Sequence, residues 1–559
     1  MSTWPVPSVP DPRTQAFPVL TAVQIGRLRS WGKLRKVKPG EVLFQPGDTD
    51  VPFFVVLSGN MEIVQPDITG ERAIVMHGPG EFTGELTMIS GQRCLVRARM
   101  TEAGELIEIS ADDFRSLVAR DAELSEIFMR AFILRRLALI TAGYGDAILM
   151  GSRHSANTLR LREFLSRNAY PYTYVDLDQD KTSQELLDRF AVELEDVPVV
   201  ICHGSTVLRN PSPQQLADCL GFNVNIDTSQ VRDVIIVGAG PSGLAAAVYA
   251  ASEGLDALVI ENNAPGGQAG SSSKIENYLG FPTGVSGQEL AARAIAQAQK
   301  FGAKMMVGHG VVRLNCGRRP YQVVLDNDSA VAARAIIIST GAQYNKPRIE
   351  NLKKFEGQGI YYGATYIESQ LCENEDVIVV GGGNSAGQAA VFLSQTARKV
   401  YMLVRSQSLS ETMSRYLIQR ITENPAIELH YNTEIVGLEG DTRLEQVAWR
   451  DSATGETSTH AIRHVFIMTG ASPGTAWLKG CLALDDKGFI LTGRDLDGTN
   501  GTAPVPAWPL SRRPQMLETS LPGVFAVGDV RSGNVKRVAS AVGEGAIAVH
   551  LVHRTLAEM

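Results

Sequence analysis

The sequence predicts a multidomain chain: an antiparallel β jelly roll, a small α/β domain, and two Rossmann-like α/β domains that bind nucleotides. Three observations predict it. Residues 37–98 alternate short β-like runs with glycine turns. Residues 147–201 read as strand, helix and strand, then a further helix and a proline-led strand. At Asp233 and again at Asp376, a hydrophobic strand runs into a glycine turn and an Ala-rich helix.

The chain has 559 residues, enough for three or four domains. It is 44% hydrophobic and 20% charged, with a formal charge of −7, so bulk nucleic-acid binding is not expected. No apolar run approaches the roughly 20 residues that span a bilayer, so no membrane partner is expected. Met1 to Pro12 holds four prolines and no signal-like segment, and residues 1–14 read as a flexible arm. The six cysteines form no CxxC and no zinc spacing, so no metal site is expected. A reducing cytoplasm fits that usage.

The jelly roll is expected over residues 15–140. Its glycines and the run Phe82-Thr-Gly-Glu-Leu86, followed by Arg93-Cys-Leu-Val-Arg-Ala98, resemble cyclic-nucleotide-binding domains. A cyclic phosphate needs N–H donors and a cation, and a ribose hydroxyl needs an acceptor. Gly84, Glu85 and Leu86 could supply donors and acceptor, and Arg93 the cation, with Cys94 beside it. The spacing from Glu85 to Arg93 is one residue shorter than the family's, and Cys94 replaces a small hydroxyl or Ala. Arg97 is therefore an alternative cation. The resemblance implies a cyclic nucleotide regulator, mono- or dinucleotide. Asp121 to Leu139 then reads as an amphipathic helix with Leu124, Ile127, Phe128, Phe132 and Leu137 on one buried stripe. In the family such a helix relays the ligand signal and often dimerises, so a homodimer is expected.

The second domain is expected over residues 145–225. Its strands Ala147–Met150 and Tyr172–Leu177, its helix at Asn157–Asn168 and its strand led by Pro198 resemble the glutaredoxin/thioredoxin fold. Counting back from Arg162-Glu-Phe-Leu165 puts Ser155-Ala156-Asn157-Thr158 at the family's CxxC. Hydroxyls form no disulfide, so dithiol exchange is excluded there. The resemblance then implies a spacer, docking surface or relay, with Cys202 and Cys219 as buried structural thiols.

The first glycine fingerprint is Asp233-Val-Ile-Ile-Val-Gly-Ala-Gly-Pro-Ser-Gly243. Gly238 allows the tight turn, Gly240 lets backbone approach a pyrophosphate, and Gly243 lets helix pack on strand. Pro241 and Ser242 open the helix, whose N-terminus favours phosphate. Glu261 follows Gly238 by 23 residues, where a carboxylate can hold a ribose. Further along come Ala264-Pro-Gly-Gly-Gln268, Ile275-Glu-Asn-Tyr278, Ala335-Ile-Ile-Ile-Ser-Thr-Gly341 and Gly523-Val-Phe-Ala-Val-Gly-Asp529. A second fingerprint, Asp376-Val-Ile-Val-Val-Gly-Gly-Gly-Asn-Ser-Ala386, lies between.

Two fingerprints and a late Gly-Asp resemble low-molecular-weight thioredoxin reductases and their relatives. The resemblance implies an FAD domain in residues 231–346 and 467–559, and a nicotinamide-nucleotide domain in residues 347–466. It implies that Gly238, Gly240, Pro241, Ser242, Gly243, Glu261, Gly267 and Gly341 cradle FAD. It puts Gly528 and Asp529 at the ribityl chain, Gln268 and Asn277 near the ring, and Arg537 and Val538 at its pyrimidine end. Gly381, Gly383, Asn384 and Ser385 would hold the nicotinamide nucleotide. The offset that places Glu261 lands on Val404 in the second domain, with Arg405 next. A cation in place of a carboxylate favours NADPH and leaves NADH open.

Between the fingerprints the family carries Cys-Ala-Thr-Cys. This chain has Gly363-Ala-Thr-Tyr366, and Cys372 lies too far along to substitute. The catalytic residues are therefore not named by the resemblance, and neither is the electron acceptor. Three readings follow. One is an FAD-dependent NADPH oxidoreductase with a cyclic-nucleotide-responsive domain. Another is a ferredoxin- or flavodoxin-NADP reductase, which would dock acidic carriers on clusters such as Arg512-Arg513 and Lys536-Arg537. The last is a non-catalytic sensor of nucleotide or redox state acting through a partner. The Gly/Pro-rich stretch from Asp495 to Arg513 reads as a mobile loop.

Overall fold

The computed structural model describes residues 12–558, apart from 68–69, 142–144, 146, 154, 179–195, 204–205, 224–225 and 498–507. Most of the expected arm, the helix before Pro198 and the centre of the Gly/Pro-rich loop lie outside the described residues. Two compact units are distinguished. One holds residues 1–150, 169–226 and 299–304, the other 151–168, 227–298 and 305–559.

In the first unit, short alternating strands build two antiparallel sheets. One takes Lys33–Val37, Gly104–Ile109 and Phe53–Ser58 in that order. The other takes Val42–Phe44, Arg97–Met100, Met61–Asp67 and Gly70–His77. Strand Phe53–Ser58 opens with four consecutive buried residues on alternating faces: Phe54 and Val56 join one core cluster, Phe53 and Val55 the other. Phe53, Phe82, Phe114, Phe128 and Phe132 pack together there, with Phe53 stacked 4.3 Å from Phe114. Such ring pairs add about 0.5–1.5 kcal/mol beyond their buried area.

Two helices close the sandwich. Ser110 caps Ala111–Arg120 by accepting from the Asp113 N–H. The next helix, Ala122–Thr141, buries Leu124, Phe128 and Phe132 as expected, with Ile127 half-buried. Leu137 corrects that expectation: it is exposed. It lies about two and a half turns past Phe128 and so points away from the stripe. Arg135 and Arg136 take buried places instead.

The unit also holds a third sheet, of four strands. Its strands lie in the spatial order Thr206–Arg209, Val199–Cys202, Ala147–Gly151, Tyr172–Asp176. Val199–Cys202 is antiparallel to both neighbours and fully buried, and the Val197–Pro198 peptide before it is cis. Cys202 is buried, but Cys219 is half-exposed, which corrects the reading of both as buried. Cys219 ends the short helix Pro213–Cys219, whose buried residues are Leu216 and Ala217, so its side chain falls at the rim.

The second unit has two nucleotide-domain sheets. In the first, Arg232–Val237 runs parallel to Ala257–Glu261 and to Ala330–Ile338, and the latter also pairs with Val524–Ala526. Tyr321–Leu325 and Val311–Asn315 continue it as an antiparallel meander. The second sheet is parallel throughout: Ile360–Tyr361, His464–Ile467, Asp376–Val380, Lys399–Val404 and Ile427–Tyr431. Covered on both faces, these strands carry continuous Val/Ile runs rather than alternation.

Helix Ala156–Arg167 groups with this unit. Ser155 is its N-cap and accepts from the Thr158 N–H, so the hydroxyl at the first CxxC position holds a helix end. Leu159 joins the core of the second nucleotide domain. Arg167 Nη2 donates to the carbonyls of Ala264 (3.3 Å) and Gly267 (3.0 Å). Among the described residues no helix is long and apolar enough to cross a membrane.

Candidate functional site

The first cradle forms where strand Arg232–Val237 ends. Gly238 has φ +101°, and an added Cβ would stand 2.5 Å from the Ser339 carbonyl oxygen. Gly243 is tighter still, with its Cβ position 2.0 Å from the Gly238 carbonyl oxygen. Helix Pro241–Ser252 therefore sits directly on the turn. Gly240 is its N-cap and offers no side-chain cap, so the first N–H groups stay free for a ligand. The nearest atom to a Cβ at Gly240 is the Gly267 Cα, 3.9 Å away. This is a glycine turn shaped for a phosphate, and the residues present fit a dinucleotide.

Glu261 ends the neighbouring strand. Its carboxylate accepts from the N–H groups of Ala239 (2.8 Å) and Asn263 (3.0 Å). Burial raises its pKa, and those two bonds oppose the rise. Gln268 donates to the Ala342 carbonyl beside Gly341, which has φ +63°. At Gly528 an added Cβ would meet Ser242 Oγ at 2.5 Å, which brings the late Gly-Asp pair onto the first helix. Asp529 follows, half-buried, its pKa raised by burial and partly restored by Lys536. The C-terminal helix Val538–Ala557 starts after Arg537, again without a side-chain cap. Asn277 is exposed and is not joined to these residues by any contact described.

One residue of the cradle was missed in the sequence. Glu544 accepts from the Gly528 N–H (2.7 Å) and from Arg531 Nη2 (2.6 Å). It stands inside the run Val-Gly-Glu-Gly, whose glycines were the only signal.

The second cradle repeats the first. Gly381 has φ +141°, and its Cβ position lies 2.6 Å from the Met468 carbonyl oxygen. Gly383 is the N-cap of helix Asn384–Leu393, and a Cβ there would meet nothing within 4 Å. Asn384 Oδ1 accepts from the Ser414 N–H (2.8 Å). Ser385 is hydrogen-bonded to Tyr344. Val404 is buried at the end of its strand where Glu261 stands in the first domain, and Arg405 beside it is exposed.

Where the reductases carry sulfur, Gly363 leads into helix Tyr366–Leu371, and a Cβ on it would meet nothing within 4 Å. Thr365 caps this helix reciprocally with Glu368. Cys372 is buried, its Sγ donating to the Glu368 carbonyl (3.3 Å), and burial pushes its thiol up to about 12. It is no nucleophile at neutral pH.

A sulfur pair nevertheless exists. Cys316 and Cys481 form a disulfide with Cα atoms 6.0 Å apart, a pairing that the cysteine spacings did not announce. The pair was hidden because its members are 165 residues apart. Its place rules out contact with the first cradle. Cys316 follows Asn315, whose strand pairs with Gln322; the adjoining Tyr321 lies opposite Ala333, alongside Arg232. The cradle begins five residues further on, after Val237 and Ile338, roughly 16 Å along the sheet.

In the N-terminal domain the expected ligand residues separate. Gly84 has φ +107° and packs on Met88 and Phe132. Leu86 opens the short helix Thr87–Ser90. Glu85 is buried, accepting from the Thr87 N–H (3.2 Å) and pairing with Arg136 (3.3 Å). Arg93 packs its stem against Gly221, with Cδ 2.8 Å from that glycine's Cβ position. Arg97 is paired with Glu71. Cys94 is buried, its Sγ donating to the Val96 carbonyl (3.3 Å), and desolvation pushes its thiol up to about 12. Glu85 is thus engaged by Arg136 and the Thr87 N–H, while the stem of Arg93 lies against Gly221.

Two glycine-turn cradles at the ends of two parallel sheets, one domain inserted in the other, define a flavin- and pyridine-nucleotide-dependent oxidoreductase. Comparison with known proteins agrees. Residues 232–545 match the pyridine nucleotide-disulphide oxidoreductase family, and residues 34–121 match the cyclic nucleotide-binding domain. Thioredoxin reductase of Treponema pallidum is 34% identical over 318 residues, 57% of this chain and 95% of that protein. NADPH-dependent thioredoxin reductase 3 of Arabidopsis thaliana is 31% identical over 370 residues, and the match spans 63% of this chain and 65% of that protein. Among solved structures, thioredoxin reductase of T. acidophilum is 30% identical with a TM-score of 0.51, covering 58% of this chain and 99% of that one. That of Lactococcus lactis is 26% identical with a TM-score of 0.52, covering 59% and 100%. The chain belongs to the pyridine nucleotide-disulphide oxidoreductase family, as an FAD-dependent NAD(P)H oxidoreductase of thioredoxin-reductase-like form joined to a cyclic nucleotide-binding domain.

Proposed function

We propose that this chain is an NADPH-dependent flavoprotein reductase that passes electrons to its acceptor without a sulfur relay beside the flavin. FAD, held in the first cradle, would accept hydride from NADPH and release electrons onward. The chain's own groups do the rest. Glu261 and the N-terminus of helix Pro241–Ser252 hold the adenosine end and the pyrophosphate. Gly383 and Arg405 would hold NADPH, and the uncapped start of the C-terminal helix favours negative charge on the reduced ring.

The observation that carries this reading is the pair of intact cradles with Gly363 between them in the place of sulfur. The single disulfide lies at the far end of the sheet from the cradle. The sheet order of strands Ala147–Gly151 to Thr206–Arg209, fourth-third-first-second in chain order, supports a thioredoxin-like second domain. With Ser155 as a helix cap, that domain serves docking or relay rather than dithiol exchange. The N-terminal domain would bias the reductase through its own ligand, by as much as that ligand's differential affinity for two states.

The carrier-docking reading loses support at one of its clusters. Arg512 is held by Glu518 (2.6 Å) and Glu558 (2.8 Å), so it presents little free charge. Stopped-flow mixing with NADPH tests the proposal. Flavin absorbance should bleach, and reoxidation by quinones or other small acceptors should outpace reoxidation by thioredoxin. A flavin that stays oxidised, or one reoxidised fastest by thioredoxin, would overturn it.

A further inference from the structure

Inside the N-terminal sandwich lies a cavity of about 260 Å³. Its wall is mainly aliphatic and aromatic: Phe44, Ile63, Ile74, Val75, Met88 and Leu139 line it. Polar side chains are few, and most are already engaged. Glu85 is held by Arg136 and by the Thr87 N–H. His77 Nδ1 stands 3.5 Å from the Glu81 carboxylate and, among the described residues, makes no hydrogen bond.

Arg135 is the cation on this wall, and one of its donors is unanswered. It lines the cavity and is 7% exposed. Nε donates to the Ala16 carbonyl (2.8 Å), and Nη1 to those of Phe82 (3.1 Å) and Gly84 (2.9 Å). Its guanidinium lies over the rings of Phe17 (5.0 Å) and Phe82 (4.7 Å). Nη2 is buried and has no acceptor among the described residues. Desolvation lowers this guanidinium to about 9, with Glu81, already beside His77, the one carboxylate that offsets the loss. A buried cation with an unanswered donor is an incomplete ion pair, and an anion that enters the cavity completes it.

A nucleotide suits this cavity poorly. Its phosphate would have only Arg135 as a cation, since Arg93 does not line the cavity, and its base would face the aliphatic wall. Its ribose needs a free acceptor, and Glu85 is taken. We propose that the N-terminal cavity binds an apolar monocarboxylate of the fatty-acid type. The chain lies against the aliphatic wall and the carboxylate meets Arg135. This inference names the regulator of the reading above but rests on the sandwich alone, so either can fail without the other.

Calorimetric titration of the full-length flavin-loaded chain tests it, with octanoate, octanol, octylamine, cAMP and cGMP as probes. Octanoate should saturate one site per chain. Octanol and octylamine should bind at least about tenfold more weakly, since they forfeit a charge-assisted hydrogen bond. Arg135→Gln should weaken octanoate by a similar factor and leave octanol unchanged. If that variant fails to fold, the ligand series on the unmodified chain decides alone. Octanol matching octanoate, either cyclic nucleotide binding more tightly than octanoate, or no saturable octanoate binding would each overturn the proposal. NADPH bleaching read on the same sample separates this outcome from failure of the reductase reading.

Discussion

At the end of strand Lys399–Val404, Val404 is buried and Arg405 is open to solvent. In the first nucleotide domain the equivalent strand ends in Glu261. The exchange of a carboxylate for an apolar residue followed by a cation is what a 2′-phosphate requires. Arg405→Gln should raise KM for NADPH roughly fivefold, a modest figure because exposed ion pairs are screened. KM for NADH should barely move, and steady-state kinetics with both coenzymes decide it. This contrast was legible in sequence because both residues sit at one offset from a glycine turn. Arg93 was not legible in the same way. Its partner is Gly221, more than a hundred residues on, and nothing near Arg93 announces that its stem is packed there.

The C-terminal helix Val538–Ala557 shows the same division at the next scale. Its glycines are visible in the sequence, and Gly545 sits on the first helix, its Cβ position 2.2 Å from the Ser242 carbonyl oxygen. Glu544 gave no such signal. It ties the Gly528 turn and Arg531 to the helix, and it also accepts from Asn534 Nδ2 (3.0 Å). Glu544→Gln removes the charge and one acceptor, which should cost about 1–3 kcal/mol. A thermal melt followed by flavin fluorescence should show FAD released earlier than in the parent, with secondary structure intact at room temperature. Helix Ala122–Thr141 makes the complementary point. Its apolar stripe was readable from spacing, but the burial of Arg135 and Arg136 was not. They are buried because carbonyls of Ala16, Phe82 and Gly84, and the carboxylate of Glu85, arrive from elsewhere in the chain.

Across the whole molecule, the sulfur count separates what is reactive from what is structural. Four cysteines lie outside the disulfide, and of these Cys94, Cys202 and Cys372 are buried. Thiol titration of the native chain should therefore count one fast-reacting group, Cys219. Denaturation without reductant should raise the count to four, and with reductant to six. Six thiols in denaturant alone would show that Cys316 and Cys481 are not bonded. Replacing both by serine opens a loop of 165 residues and should lower stability by about 2–5 kcal/mol. NADPH bleaching should be unchanged, because the pair lies away from the cradle.

Sequence alone was enough to place a cyclic nucleotide-binding domain ahead of the reductase, to find both glycine cradles and to show that position 363 is Gly rather than Cys. Those features are local: a positive φ, a run of Val and Ile or a missing thiol needs no distant neighbour to be read. Only the tertiary structure decided that Cys316 meets Cys481, that Glu85 answers Arg136 rather than a ribose, and that Arg135 is left one acceptor short inside an apolar cavity. Charge pairing and burial depend on which remote segments are brought within a few ångströms, and that is a property of the packed chain.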